Sequence, residues 1–317
     1  MRTTRRSLVR IGIALASGVP LQSQTAARRA VTVAATGEEI PHPFNAPQAM
    51  VRIPAGAFTM GERQVAHQVF LDEFYMAKYL VTNAEYKTFV DAAGVARLPR
   101  HWRAGTFPED KANHPVLWVS WNDAQRYCAW VSRGSGRTVT LPTESQWEKA
   151  ARGPQGFQYP WGNDPNQQLL NFNGVCARKY GLEVTADGQA PGWRDFTATA
   201  EYRALVDGGG YTTPVGAFPQ GKSTYGCYDM AGNAWQWCTD WYMRDYTRLP
   251  DASRNPQGPS REQADEVSRA AEHGKCKVIR GGSWYAHLGS ARSTYRDETR
   301  GPEAGYHSVG FRVAMTG

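Results

Sequence analysis

Residues Val278–Val313 read VIRGGSWYAHLGSARSTYRDETRGPEAGYHSVGFRV, and this stretch constrains the chain more than any other. It opens on Arg280-Gly281-Gly282-Ser283-Trp284 and closes on Gly310-Phe311-Arg312. The span between these landmarks carries aromatic, histidine, arginine and carboxylate side chains and no cysteine. The glycine and aromatic bias extends to the whole chain, which has 32 Gly, 19 Pro, 11 Trp and 15 Tyr in 317 residues. That mixture suits a loop-rich domain in which aromatic rings supply core volume that short regular elements do not.

The length allows one large domain or two ordinary ones. Hydrophobic residues make up 41% of the chain and mean hydropathy is −0.56. No run of 18 apolar residues occurs, so a soluble protein without stable membrane insertion is expected. The first residues, MRTTRRSLVRIGIALASGVPLQSQTAA, place Arg5-Arg6 ahead of Ser7, Leu8 and Val9 and a weak apolar stretch from Ile11 to Val19. This pattern matches a twin-arginine export signal better than an ordinary secretory one, with cleavage near Ala27. A basic tail would explain the arginines but not the apolar run. The expected division is a signal at 1–27, a linker at 28–49 and one domain at 50–317, located in the periplasm or outside the cell. Residues 1–27 hold four arginines and no acids, so the net charge of +7 falls to +3 without them (7 − 4 = 3). A nearly balanced domain gives no case for nucleic-acid binding. A monomer is expected.

Five cysteines, Cys128, Cys176, Cys227, Cys238 and Cys276, form an odd set with no CxxC spacing. At least one is free or pairs between chains, and a zinc site is not indicated. Cys128 and Cys238 sit among aromatic neighbours and read as buried small hydrophobes.

Three helices are marked by their caps. Thr82 stands three residues before Glu85, and that helix should run to about Gly94. Ser120 opens a second, and Thr143 with Gln146 opens a third that stops at Gly153. Val51, Ile53 and Phe58 mark a strand and Gly-rich turn within Met50–Gly61, and another strand is expected over Gln68–Tyr75. Residues 166–210 and 244–275 are polar and read as inserted loops, with a short helix at 261–272. The turn Asp229–Gln236 offers side-chain oxygens of Asp229 and Gln236 and the carbonyls of Gly232 and Ala234. Such a set suits a hard cation. The alternative is a Gly-Asn turn with no metal.

LPTESQWEKAARG (141–153), YPWGND (159–164), GCYDMAGNAWQWCTDWY (226–242) and the C-terminal frame follow MVRIPAGAFTMG (50–61) in a fixed order. Together they resemble the formylglycine-generating enzyme, or sulfatase-modifying factor, family over about residues 50–314. The resemblance implies an α+β, loop-rich variant of the C-type lectin fold with little regular secondary structure. It implies structural calcium at Asp229, Gly232, Ala234 and Gln236, with Gln where Glu is common, and a second calcium position at Asn171 and Phe172. The copper-binding cysteines of the family fall on Ala286 and Ala291, so no copper is expected. A frequent disulfide of the family falls on Ala151 and Val313.

The segment inside the frame is the expected substrate groove. Trp284, Tyr285, His287, Ser290, Arg292, Tyr295, Arg296 and Tyr306 are its candidate binding residues. His287, Glu298 and His307 are candidate acid–base groups, although each histidine alone also reads as an exposed loop residue. Arg296-Asp297-Glu298 reads equally as a salt-bridged surface run. The leading function is an exported oxidase or maturation factor for a small molecule or peptide, as in siderophore maturation. The alternative is a ligand-binding protein like the variable proteins of diversity-generating retroelements. Formylglycine formation on sulfatases ranks last, for want of both thiols.

Overall fold

The computed structural model describes residues 39–41, 49–95, 97–267, 274–298 and 300–316. The export signal expected in residues 1–27 lies outside them. The strands are β1 Glu39–Pro41, β2 Ala49–Ile53, β3 Gly56–Met60, β4 His67–Leu71, β5 Phe74–Ala77, β6 Val139–Thr140, β7 Trp235–Trp241, β8 Lys277–Arg280, β9 Arg296–Asp297, β10 Val309–Gly310 and β11 Ala314–Thr316. The α-helices are α1 Asn83–Ala93, α2 Trp121–Ser135, α3 Glu144–Arg152, α4 Asn173–Lys179, α5 Trp193–Phe196 and α6 Ala200–Asp207.

The three capped helices form as their first turns dictate. Thr82 accepts a hydrogen bond from the Glu85 amide, while the Glu85 carboxylate accepts one from the Thr82 amide at 2.8 Å. Ser120 with Asp123, and Thr143 with Gln146, close the same reciprocal box on α2 and α3. Each box satisfies amides that a first helical turn leaves unpaired. Gly94, at φ 62°, ends α1 in the left-handed conformation that a glycine adopts without a Cβ penalty.

The strands are short and gather into small sheets. The largest has the order β1-β2-β5-β11-β6, antiparallel throughout. Its inner strand β11 pairs Ala314 with Met76 on one side and with Thr140 on the other. The second sheet runs β10-β7-β8-β9, with β10 parallel to β7. Strands β3 and β4 form a hairpin that pairs Phe58 with Val69. Around this framework, helix and strand together account for less than half of the described residues, about 27% and 18%.

Several local expectations change. Glu39–Pro41 lies in the expected linker yet pairs as a strand with β2. The strand expected over Gln68–Tyr75 is two strands, β4 and β5, which join different sheets: β4 pairs with β3, and β5 with β2 and β11. The stretch read as inserted loops at 166–210 folds into α4, α5 and α6. Thr199 caps α6 by accepting from the Tyr202 amide. The helix expected at 261–272 is absent from its described part, 261–267, which is turn and irregular backbone.

The core has two principal masses. In one, Trp147, Ala150 and Ala151 of α3 pack with Phe58, Val69, Cys238 and Val278. In the other, Tyr86 and Phe89 of α1 and Tyr127 of α2 surround Phe311, with Tyr86 and Tyr127 stacked at 6.0 Å. The Gly-Phe-Arg landmark thus delivers its phenylalanine to the helix pair. Ala151 and Val313 are both fully buried.

Candidate functional site

Strand β8 ends at Arg280, and the chain then leaves the sheet in an excursion that returns at β9. Gly281 and Gly282 start it at φ 98° and 75°. A Cβ on Gly281 would stand 3.0 Å from the Trp147 ring, so this exit needs glycine for both conformation and space. Arg280 then clamps the returning limb. Its guanidinium, fully buried, donates to the carbonyls of Ser293 at 2.8 Å and of Thr294 and Tyr295 at 3.1 Å. Burial would lower the Arg280 pKa, but the Glu148 and Glu144 carboxylates outweigh it and hold the group above its ordinary value. Glu148 itself accepts from Arg280, from Arg152 at 3.1 Å and from the Gly61 amide at 2.6 Å. One buried ionic node therefore ties α3, β8 and the excursion together.

Along the excursion the predicted residues separate by role. His287 is exposed, and its Nε2 lies 3.0 Å from Ser290 Oγ. Its ring meets Tyr295 edge-on at 6.3 Å, and Tyr295 lies 5.8 Å from Trp235. Partial desolvation and the Arg292 guanidinium hold the imidazole below its ordinary pKa. A neutral imidazole bonded to a hydroxyl can take up a proton. Arg292 donates to the Gly289 carbonyl at 3.2 Å and stands 3.6 Å from Glu62. Ala286 is half-buried and its carbonyl accepts from the Asn173 amide of α4 at 3.0 Å, while Ala291 is buried.

The three acid–base candidates do not form one constellation. His307 sits in a different setting, with Tyr285 at 4.8 Å and Trp118 at 6.0 Å, and its Nε2 lies 3.0 Å from the Tyr202 hydroxyl. Burial, aided by Arg300, pushes its pKa down to about 4. Glu298 lines a cleft of about 720 Å³ with Tyr242, Met243, Arg244 and Asp245, and bonds the Tyr242 side chain. Two candidate binding residues are structural instead. Trp284 is fully buried and donates to the His307 carbonyl at 3.2 Å. Arg296 meets both oxygens of Glu144, at 2.5 and 2.7 Å, and lies over the Tyr242 and Tyr246 rings. The 296–298 run is therefore not simply a surface salt-bridge loop. Tyr306 accepts from the Gly301 amide at 3.1 Å.

Sequence reading missed the aromatic wall beside Tyr285. Trp193 of α5 and Tyr202 of α6 pack against Tyr285 at 5.8 and 6.1 Å. The available signal was Thr199 placed ahead of Tyr202 in a segment otherwise read as polar loop. Trp118, half-buried at φ 61°, also faces His307 and has Arg100 over its ring.

The Asp229–Gln236 turn does not fit the expected calcium. Gln236 Oε1 accepts from Trp147 Nε1 at 2.7 Å and from Arg312 Nε at 2.6 Å. Its Nε2 donates to the Asp229 carbonyl at 2.7 Å. The amide therefore turns nitrogen, not oxygen, toward the turn. The Asp229 carboxylate accepts from the Gly216 amide at 2.8 Å and from Asn233 at 3.3 Å. Among the proposed carbonyls, that of Gly232 accepts from the Ala234 amide. At the second position the Phe172 carbonyl accepts from Val175, while Asn171 Oδ1 is buried without a hydrogen-bond partner.

The model of the sulfatase-modifying factor enzyme 1-like domain matches residues 37–316. Formylglycine-generating enzyme of mouse (Mus musculus) is 30% identical over 84% of this chain and 74% of its own length. Among solved structures, PvdO of Pseudomonas aeruginosa aligns with a TM-score of 0.64 at 24% identity, covering 89% of this chain and 98% of that one. Variable protein 1 of Treponema denticola aligns with a TM-score of 0.61 at 18% identity, covering 88% and 99%. These likenesses show the fold, the formylglycine-generating-enzyme-like variant of the C-type lectin fold.

Proposed function

We propose a function on the premise that this chain belongs to the sulfatase-modifying factor enzyme 1-like family: an exported oxidase or maturation factor for a small aromatic molecule or a peptide, of the siderophore-maturation type. Its chemistry does not use a copper–thiolate pair. The observation that carries this reading is Ala286 and Ala291, at the groove positions where the family resemblance calls for cysteines. The five cysteines are poor substitutes. All are buried, and burial pushes Cys176 up to about 12 and Cys227 and Cys276 up to about 11. Thiols held protonated supply no thiolate for a soft metal ion.

In this reading His287 takes a proton from a substrate hydroxyl, and Ser290 orients the imidazole at 3.0 Å. Tyr285, Arg292 and Tyr295 flank the substrate. Two electrons and the two hydroxyl protons, one of them by way of His287, then pass to dioxygen as co-substrate, leaving the oxidised aromatic and hydrogen peroxide.

The test sets an oxidisable catechol in air against a sulfatase-type cysteine peptide supplied with copper. The expected outcome is oxygen uptake with loss of two hydrogens from the catechol, and an intact peptide thiol. His287→Ala should slow turnover roughly 100-fold or more, the usual scale for a general base. An aldehyde on the peptide would overturn the proposal. Catechol binding without turnover would do the same and favour the ligand-binding alternative.

A further inference from the structure

Arg312, Gln236 and the Asp229 turn are joined in one buried hydrogen-bond network. The Arg312 guanidinium is fully buried and reaches four oxygens: Gln236 Oε1 at 2.6 Å and the carbonyls of Tyr228 at 2.6 Å, Ala77 at 2.9 Å and Lys78 at 3.4 Å. These acceptors belong to the end of β5, the residue before Asp229 and strand β7. A planar cation thus holds these segments together. Gln236 is also fully buried, and every polar atom of its amide is used. Exchanging its oxygen and nitrogen would set N–H groups against both Trp147 and Arg312, so the network fixes the orientation.

We propose that this turn is a metal-free form in which the Gln236 amide, held by Trp147 Nε1 and Arg312 Nε and donating to the Asp229 carbonyl, takes the place of the calcium implied by the family resemblance. The amide nitrogen occupies the place from which a carboxylate oxygen would reach an ion. With Glu at 236, one oxygen keeps Trp147 and Arg312 while the other faces the Asp229 carbonyl with no proton between them. Two oxygens so placed need a cation or a proton between them. With Gln, the N–H supplies the bridge, and a divalent ion would meet an amide donor and a buried guanidinium.

Purified wild type, Gln236→Glu and Asn171→Ala are melted in EDTA and in calcium chloride, and bound calcium is measured by mass spectrometry after desalting. Wild type should melt alike in both buffers. Gln236→Glu should melt lower in EDTA and rise in calcium by about 5–10 °C at a hundredfold excess over Kd. Should Gln236→Glu fail to fold, metal content decides. Calcium bound to wild type overturns the proposal whether or not Asn171→Ala removes it, because Asn171 lies against the same turn and bonds Asn233. No calcium in wild type supports it. A folded Gln236→Glu indifferent to calcium overturns the role given to Gln236.

Discussion

Glu148→Ala should be among the most damaging single changes in this protein. Glu148 and Arg280 are both fully buried, and the carboxylate also serves Arg152 and the Gly61 amide. Removing it leaves the Arg280 charge desolvated, with Glu144 at 3.4 Å as remaining anion. Breaking a buried pair from one side costs about 3–5 kcal/mol. That is a large fraction of the roughly 5–15 kcal/mol that holds a typical domain together. With a urea slope of about 3 kcal/mol/M, the unfolding midpoint should fall by roughly 1–2 M. Arg126→Ala is the internal control: its partner Asp123 is buried, but the Arg126 side chain is 64% exposed. Such a pair contributes about 1 kcal/mol or less. The double change Glu148→Leu with Arg280→Met should not recover full stability. Arg280 also serves the carbonyls of Ser293, Thr294 and Tyr295, and each lost bond costs about 1 kcal/mol. A Glu148→Ala penalty no larger than that of Arg126→Ala would refute the reasoning.

Asp240 is pushed up to about 6, chiefly by burial and then by Glu144. Between about pH 4 and 6 the folded protein keeps a proton that the unfolded chain has lost. This group's contribution to stability therefore falls as pH rises through that window, by up to about 1.4 kcal/mol per unit. Asp240→Asn removes that slope, so its stability relative to wild type should improve from pH 4 to 6 in urea titrations; a constant difference contradicts the shift. Changing Arg5 and Arg6 together to lysine should leave the precursor in the cytoplasm on cell fractionation, and normal export would end the twin-arginine proposal.

What was legible in sequence was what local chemistry decides. Thr82, Ser120 and Thr143 announced their helices because a cap and its partner lie three residues apart. The ordered motifs announced the family. What stayed hidden was decided at long range. Helices α4 and α5 lack side-chain caps, so nothing local marked their starts, and α6 had Thr199 alone. The capture of Arg296 by Glu144 joins residues 152 positions apart, and buried Trp284 meets Tyr202 from a different part of the chain. His287 and His307 look equivalent in sequence. One is exposed, while the other is half-buried and bonds the Tyr202 hydroxyl, more than a hundred positions earlier.

Strand β11 carries a consequence for how the protein is made. Residues 314–316 lie inside the largest sheet, between β5 and β6, rather than at its rim. A ribosome that has released only the first three hundred residues has produced strands β5 and β6 with a gap between them. The helices can form by then, but that sheet cannot close. Pairing across some 240 positions requires a large loop to be ordered first, which slows folding. Until residue 316 is free, the nascent chain holds two unsatisfied sheet edges, and a chaperone that shields them would bridge the interval between synthesis and a finished domain.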